Sequence, residues 1–459
     1  MQSNGGVTSP QVATRTAAST LLSGPAAGPI AGLAYISIHG YDDCITVDMG
    51  GTSFDAALVK DRTPLTTTEA KVNRYQLALP TLWIHTIGAG GGSIGWVDEG
   101  GLLRMGPQSA GADPGPACYG LGGEKPACTD ADLFLGYLNK DYFLGGKMPL
   151  NYERAKEAIQ RYIATPLGLD IVEAAAGMYQ VINVSMAAGV KEVSVQRGFD
   201  PRDFPLIVAG GAGPVHAGPI ALELEIPLII VPKESSIFCA AGMLMSDLKH
   251  DFVRSYTTDV AKVDRQKFQA LFAEMEEEGK RVLALENIPR ERMQFIYSCD
   301  LRYLGQYYEV NVTLAKQEVE DGDFGSIMEK FHHKHDQLYG YHLKDEGMPA
   351  ELINLRTTAI GVTEKPQFKE EDYAGEDSSR SIKGHRPVYL PQQRRFEDSP
   401  VYDGTTLCFG NKIAGPAIIE QPNTSIFVLP EFSVICDRYG SYTMYLKTRE
   451  KELAERLMK

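Results

Sequence analysis

Asp48 and Asp55 stand at the two ends of a glycine turn in the run Ile45–Val59, ITVDMGGTSFDAALV. Two short apolar runs around Gly50-Gly51-Thr52 read as a hairpin. Glycines leave backbone N–H groups free to approach an anion, and such a concave nest suits a phosphate. Thr52 adds a hydroxyl donor. The two carboxylates could hold a hydrated Mg²⁺ or Mn²⁺, since Mg²⁺ binds through few carboxylates and keeps most of its waters. The competing reading is an ordinary hairpin with a Gly-Gly turn. A second glycine turn, Gly210, Gly211 and Gly213 in LIVAGGAGP, follows a buried-type strand and opens a helix. Strand, glycine turn, helix lets backbone approach a nucleotide closely. A third run, Gly90-Gly91-Gly92-Ser93, is either a phosphate or substrate contact or simply a loop. Asp113 and Asp130 are candidate acid/base or metal residues in loops; aspartate before proline is also a common turn element.

Other reactive side chains are read more sparingly. None of the seven cysteines forms CxxC, and Cys118 and Cys128 flank a loop with no zinc-type partner spacing. They read as reduced thiols in a cytoplasmic protein. Cys118 has no activating histidine nearby in sequence, which argues against a nucleophile. His332, His333, His335 and His342 invite a metal reading, and His332 and His335 would share a helix face. No HExxH pattern accompanies them, and histidines are common on amphipathic helices. His216 follows the second glycine turn and either lines a cleft or packs at a helix start.

These groups need a scaffold. Ser23–Gly28 leads into a small-residue helix, Pro29–Tyr35, directly before the first hairpin. Helical spacing recurs at Tyr152–Tyr162 and Ile171–Val190; Pro227–Pro232 reads as a core strand and Ser235–Asp247 as a capped, buried helix. Alternating strands and helices place residues 1–250 in the α/β class. Residues 251–365 read as helix, strand, strand, helix, strand, with an amphipathic helix from Phe268 to Leu283 and later elements at Met293–Tyr303, Tyr307–Leu314, Phe324–Leu338 and Glu351–Val362. That is a small α+β domain. Glu364–Gly384 is polar and weakly patterned, a linker. The last region, 366–459, is β-rich and ends in a charged helix near Arg449–Leu457.

A chain of 459 residues with 43% apolar content has room for two or three domains. The net charge of −14 argues against nucleic acid or an anionic membrane as the main partner. No apolar run reaches transmembrane length, and no basic segment followed by an apolar stretch marks a signal peptide.

The order of small-residue helix, phosphate-type hairpin and AGGAG turn resembles the ATPase fold shared by actin, sugar kinases and heat-shock chaperones, a ribonuclease H-like lobe. That resemblance implies β/γ-phosphates at the first turn and adenosine at the second. Further signatures are TIGAGGGSI (86–94), SAGADPGPACYG (109–120), TDADL (129–133) and VQRGFDPR (195–202). With LLSGPAAG and DMGGTSFD they resemble the ATP-using subunit of the hydantoinase A/5-oxoprolinase family, which includes subunits of acetone- and acetophenone-type carboxylases. Sugar kinases and chaperones do not account for SAGADPGPACYG. The resemblance implies ATP-dependent opening of a cyclic amide such as a hydantoin or 5-oxoproline. ATP and Mg²⁺ (or Mn²⁺) would be required, with a hydantoinase B-type subunit as partner in a hetero-oligomer. The carboxylase branch is the alternative. Family members carry a first DxGGT loop near their start, whereas the one here has the neighbours of the second. The expectation is therefore an ATPase lobe incomplete at its N-terminal side: a truncated product or a fragment from a misplaced start, half of a split enzyme complemented by a separate lobe, or a remnant left as a non-catalytic nucleotide-binding or assembly protein.

Overall fold

A computed structural model describes residues 1–67, 70–72, 75–77 and 79–451. Its backbone divides into two compact units. One comprises Met1–Ala26, Thr66–Leu82 and Met243–Pro366; the other comprises Ala27–Leu65, Trp83–Gly242 and Gln367–Lys459.

The second unit is built on a nine-stranded mixed sheet. Its strands are β1 (Cys44–Met49), β2 (Phe54–Lys60), β3 (Leu206–Ala209), β4 (Leu228–Val231), β5 (Lys412–Ala414), β6 (Phe432–Cys436) and β7 (Tyr442–Leu446), in the order β5-β6-β7-β4-β3-β1-β2, with Thr63–Pro64 beyond β2 and Ile84–Ile87 also paired to it. β1, β3 and β4 run parallel, and the remaining pairings are antiparallel. β3 and β4 are buried at every residue, which is why LIVA and LIIV read as continuous apolar runs rather than alternating ones.

Four helices of this unit carry or brace the candidate residues: α1 (Ala27–Ile38), α2 (Cys128–Phe134), α3 (Ile171–Val193) and α4 (Gly213–Glu223). Ala31, Tyr35 and Ile36 of α1 pack on Cys44, Val59 and Ile207. Ala131, Phe134, Met178, Ile182, Val215 and Ala217 of the other three helices share one apolar core with β1 and β2. Burying the larger of these, Phe134, Met178, Ile182 and Val215, is worth about 1.5–3 kcal/mol each. The rest of the C-terminal region forms a four-stranded sheet from Ile382–Leu390, Arg395–Asp403, Ala417–Gln421 and Thr424–Val428.

The other unit carries an antiparallel sheet in the order Leu248–Asp259, Ala350–Gly361, Met293–Tyr303, Val310–Leu314. Phe268, Phe272 and Met275 from helix Arg265–Leu285, and Phe331 from helix Phe324–Tyr339, fill its core.

Most local expectations hold, but the linker expected over Glu364–Gly384 already passes into strand at Ile382. The strand expected at Tyr307–Leu314 starts only at Val310, because Tyr307 and Tyr308 lie exposed outside the ladder. The helix expected over Ser235–Asp247 is a 3₁₀ turn, Ser235–Ile237, followed by a short helix, Phe238–Leu244. The charged helix expected at 449–457 falls largely outside the described residues. Among the described residues no helix is long and apolar enough to cross a membrane.

Candidate functional site

β1 and β2 form the expected hairpin, with Asp48 directly opposite Asp55 in the register. Directly opposed residues of an antiparallel pair share one face. Both candidate metal ligands therefore point to the same side of the sheet. Asp48 Oδ2 accepts from the Cys239 thiol at 3.2 Å, and Asp55 Oδ1 accepts from the Thr86 hydroxyl. Burial pushes both carboxyls above the usual aspartate range, and the Asp55 charge pushes Asp48 further in the same direction. A divalent cation would reverse that.

The intervening turn is closed by Gly50 N–H donating to the Ser53 carbonyl at 3.1 Å. Gly51 and Thr52 are exposed, and among the described residues no protein acceptor faces their N–H groups or the Thr52 hydroxyl. A side chain on Gly51 would meet nothing within 4 Å. These are the groups for which the sequence raised an anion contact.

The third glycine run lies against that turn. Gly91 N–H donates to the Gly50 carbonyl at 3.0 Å, Gly92 N–H to the Gly51 carbonyl at 2.7 Å, and Gly90 N–H to Ser93 Oγ at 2.8 Å. The amides of Gly90 and Gly91 are thus engaged within the protein, and this loop braces the first turn rather than offering donors of its own. Its contact is so close that a Cβ on Gly90 would sit 2.6 Å from Thr52 N.

Gly210, Gly211 and Gly213 lie behind the hairpin. Gly210 has φ +86°, and a Cβ there would fall 2.1 Å from the Met49 carbonyl oxygen and 2.7 Å from Asp48 Oδ1. Ala212 N–H donates to that carbonyl at 3.2 Å, and the Gly211 carbonyl accepts from Thr424 Oγ1 at 2.9 Å. α4 begins at Gly213, so its N-terminus opens at the same turn.

The two loop aspartates separate. Asp130 is completely buried, and its carboxylate accepts from the backbone N–H groups of Ala117 (3.2 Å), Cys118 (2.7 Å) and Ala127 (2.7 Å). It clamps the 109–120 loop onto the start of α2, which leaves no oxygen facing solvent for acid/base work. Asp113 is exposed on that loop. The loop reaches the glycine turns through Ala110 N–H, which donates to the Gly92 carbonyl at 2.8 Å. In VQRGFDPR, the Arg197 guanidinium stacks over Trp83 at 3.8 Å and Asp200 pairs with Arg202 at 2.6 Å, so the motif organises packing.

His332, His333, His335 and His342, where the sequence weighed against a metal, form no converging group of three among the described residues. His332 Nδ1 meets the Tyr303 hydroxyl at 2.7 Å, whereas His335 Nδ1 meets the Tyr341 carbonyl at 2.8 Å. Among the described residues, Cys128, Asp132 and His216 form the one group of three whose potential ligand atoms do converge. Spacing gave no sign of it: His216 lies on another helix, far along the chain.

Comparison with known proteins places this geometry in context. The hydantoinase/oxoprolinase family model matches residues 1–252, and the model of its C-terminal domain matches residues 256–445. The caprolactamase alpha subunit of Pseudomonas jessenii is 38% identical over 446 residues, covering 96% of this chain and 64% of that subunit. The crystal structure of the ATP-dependent caprolactamase from that organism superimposes with a TM-score of 0.87 at 36% identity, over 97% of this chain and 65% of the other. The acetophenone carboxylase gamma subunit of Aromatoleum aromaticum is 33% identical, over 92% of this chain and 59% of that subunit. A nucleotide-free acetone carboxylase structure matches with a TM-score of 0.77 at 26% identity, over 97% of this chain and 64% of its own. The chain thus spans somewhat under two thirds of the length of these relatives.

Proposed function

We propose, for a chain that belongs to the hydantoinase/oxoprolinase family, that it carries nucleotide-handling residues for the ATP-dependent opening of a cyclic amide. One observation carries the reading: the N–H groups of Gly51 and Thr52, which meet no protein acceptor among the described residues, lie between two carboxylates that share a face, Asp48 and Asp55. The donor set fits a hard divalent cation, because both available ligands are carboxylate oxygens, half-buried at the strand ends that flank the exposed Gly51-Thr52 turn.

In this reading the Gly51 and Thr52 amides and the Thr52 hydroxyl bind the oxygens of the transferring phosphoryl group. Asp48 and Asp55 would hold Mg²⁺, whose chemistry there would be to neutralise charge on the phosphates. Gly210, Gly211 and Gly213 let the nucleotide's adenosine side approach the backbone where α4 begins. Strands β1–β4 with these two turns support an actin-like ATPase lobe. An unstrained lactam resists hydrolysis because resonance deactivates its carbonyl. Transfer of the γ-phosphoryl group to the amide oxygen gives a phosphorylated imidate, releasing ADP. Water then adds to the electrophilic carbon, the C–N bond breaks as the nitrogen leaves as an amine, and a second water hydrolyses the resulting acyl phosphate to carboxylate and phosphate. Protein catalysis of the first step is positioning and charge neutralisation by fixed N–H groups. Asp113, exposed on the loop that Asp130 braces, is the carboxylate with access to substrate. A hydantoinase B-type subunit would complete the hydrolytic site; the relatives' names as alpha and gamma subunits support a partner.

The carboxylase relatives favour a second reading, ATP-driven activation of bicarbonate or a ketone enolate. Co-expression with a hydantoinase B-type subunit separates the two. Lactam-dependent phosphate release without bicarbonate supports hydrolysis; incorporation of labelled bicarbonate into a ketone supports carboxylation. ATP binding with neither turnover would favour a nucleotide-binding assembly role.

A further inference from the structure

We propose that Cys128, Asp132 and His216 form a buried zinc site that ties α2 to α4 behind the glycine turns. Cys128 and Asp132 lie four residues apart on α2, so both face the same way. His216 arrives from α4. The three side chains are 0–3% exposed.

The spacing is that of a coordination sphere. Cys128 Sγ is 3.5 Å from Asp132 Oδ2 and 3.5 Å from His216 Nε2, and Nε2 is 3.6 Å from Oδ2. Tetrahedral zinc, with bonds of about 2.3 Å to sulfur and about 2.0–2.2 Å to nitrogen and oxygen, separates such ligands by roughly 3.4–3.6 Å.

Hydrogen bonding sets the imidazole for the task. Asn183 Nδ2 donates to the Tyr179 carbonyl at 2.8 Å, which fixes the amide so that Oδ1 faces His216 Nδ1 at 2.9 Å. Nδ1 therefore carries the proton, and in the neutral ring the Nε2 lone pair points at the thiol and the carboxylate. A metal-bound histidine characteristically has its other ring nitrogen held in this way. The Tyr179 ring stacks on the imidazole with centroids 5.0 Å apart.

Without a cation the cluster is held by a weak bond, the Cys128 thiol donating to Asp132 Oδ2 at 3.5 Å. At 3.6 Å an Nε2–H would not make a hydrogen bond to Oδ2. Asp132 Oδ1 is buried without a hydrogen-bond partner among the described residues, an arrangement that costs free energy in the absence of a cation. A thiolate, a carboxylate and a 2+ ion sum to zero charge, which suits a dry interior. Sulfur with imidazole nitrogen selects zinc over Mg²⁺ or Ca²⁺. Oδ1 or a water completes four ligands.

The role is structural. Thr129, next to Cys128, donates both its N–H and its hydroxyl to the Gly91 carbonyl, each at 2.8 Å, and Gly91 in turn holds Gly50. The site is independent of the proposed reaction.

The test is metal analysis of the chain purified without a metal-affinity column. The expected result is one zinc per chain after desalting, with a sulfur-containing shell at the zinc K-edge. Exchange for cobalt should give tetrahedral visible bands and a thiolate charge-transfer band. Cys128→Ser should lose the charge-transfer band and Asp132→Asn should lose stoichiometric retention, whereas Cys408→Ala and His332→Ala/His342→Ala should keep one metal. Should the cluster variants fail to fold, the wild-type sulfur shell and the two control variants still decide. Substoichiometric zinc after loading, a shell without sulfur, or loss of metal in the controls overturns the site.

Discussion

Gly210→Ala against Gly51→Ala tests whether the two glycine turns have the different jobs assigned to them. At Gly210 the backbone has φ +86°, a conformation that costs an L-residue about 1–2 kcal/mol. The new methyl would lie 2.1 Å from the Met49 carbonyl oxygen, far inside ordinary contact, and backbone on a central strand cannot swing away like a flexible side chain. Overpacking of this kind adds about 1–3 kcal/mol. The sum, about 2–5 kcal/mol, should lower the urea midpoint clearly. At Gly51 the same methyl meets nothing within 4 Å and φ is not positive, so stability should stay within about 0.5 kcal/mol. The methyl would nevertheless stand where phosphate oxygens are expected. Mg-ATP affinity should then fall tenfold or more, about 1.4 kcal/mol. Urea denaturation and nucleotide titration of both variants give four numbers. If Gly210→Ala unfolds at the wild-type midpoint, or Gly51→Ala binds Mg-ATP unchanged, the reasoning fails at that turn.

Three further outcomes are expected of the same structure. Asp55→Asn should raise urea stability at pH 7 while removing Mg²⁺-dependent nucleotide binding. A carboxyl held above its unfolded range by burial favours the protonated fold, so charging it as pH rises destabilises the native state and an amide escapes that cost. Asp130→Ala leaves three backbone N–H groups without their acceptor and should cost at least about 3 kcal/mol, read as a loss of urea midpoint. His39 is a pH-dependent fastener: burial works against its charge, but the Asp437 carboxylate at 2.7 Å and the Tyr35 carbonyl at 2.7 Å outweigh it and raise the imidazole above its usual range. Its stabilisation should be full below about pH 6.5 and lost as pH rises through the elevated folded value. His39→Gln should therefore cost about 3 kcal/mol at pH 6 and distinctly less at pH 9, by urea melts at both.

The parts of the site that were legible in sequence are those made by neighbours. Asp48, Gly50, Gly51, Thr52 and Asp55 fall within one hairpin, so alternation and turn chemistry fix their face and order. The AGGAG turn is equally local, a buried strand ending where glycine permits a left-handed residue. What stayed hidden depends on contacts between distant segments. Gly90–Gly92 look like another anion loop until their N–H groups are seen bonded to Gly50 and Gly51. Asp130 looks like an acid in a loop until three buried amides point at it. Residues 412–446 carry ordinary short β patterns, and nothing local says that β7 will pair with β4 and extend the central sheet. Cys128, Asp132 and His216 meet only because α2 and α4 pack on the same core.

The most direct measurement is a calorimetric titration of Mg-ATP into the purified 459-residue chain and its Asp48→Ala/Thr52→Ala variant. The account predicts saturable, Mg²⁺-dependent binding by the chain, weakened at least tenfold in the variant while its urea midpoint is retained. Equal binding by both, or none by the chain at millimolar ATP, would contradict the assignment of the hairpin as the phosphate and metal site.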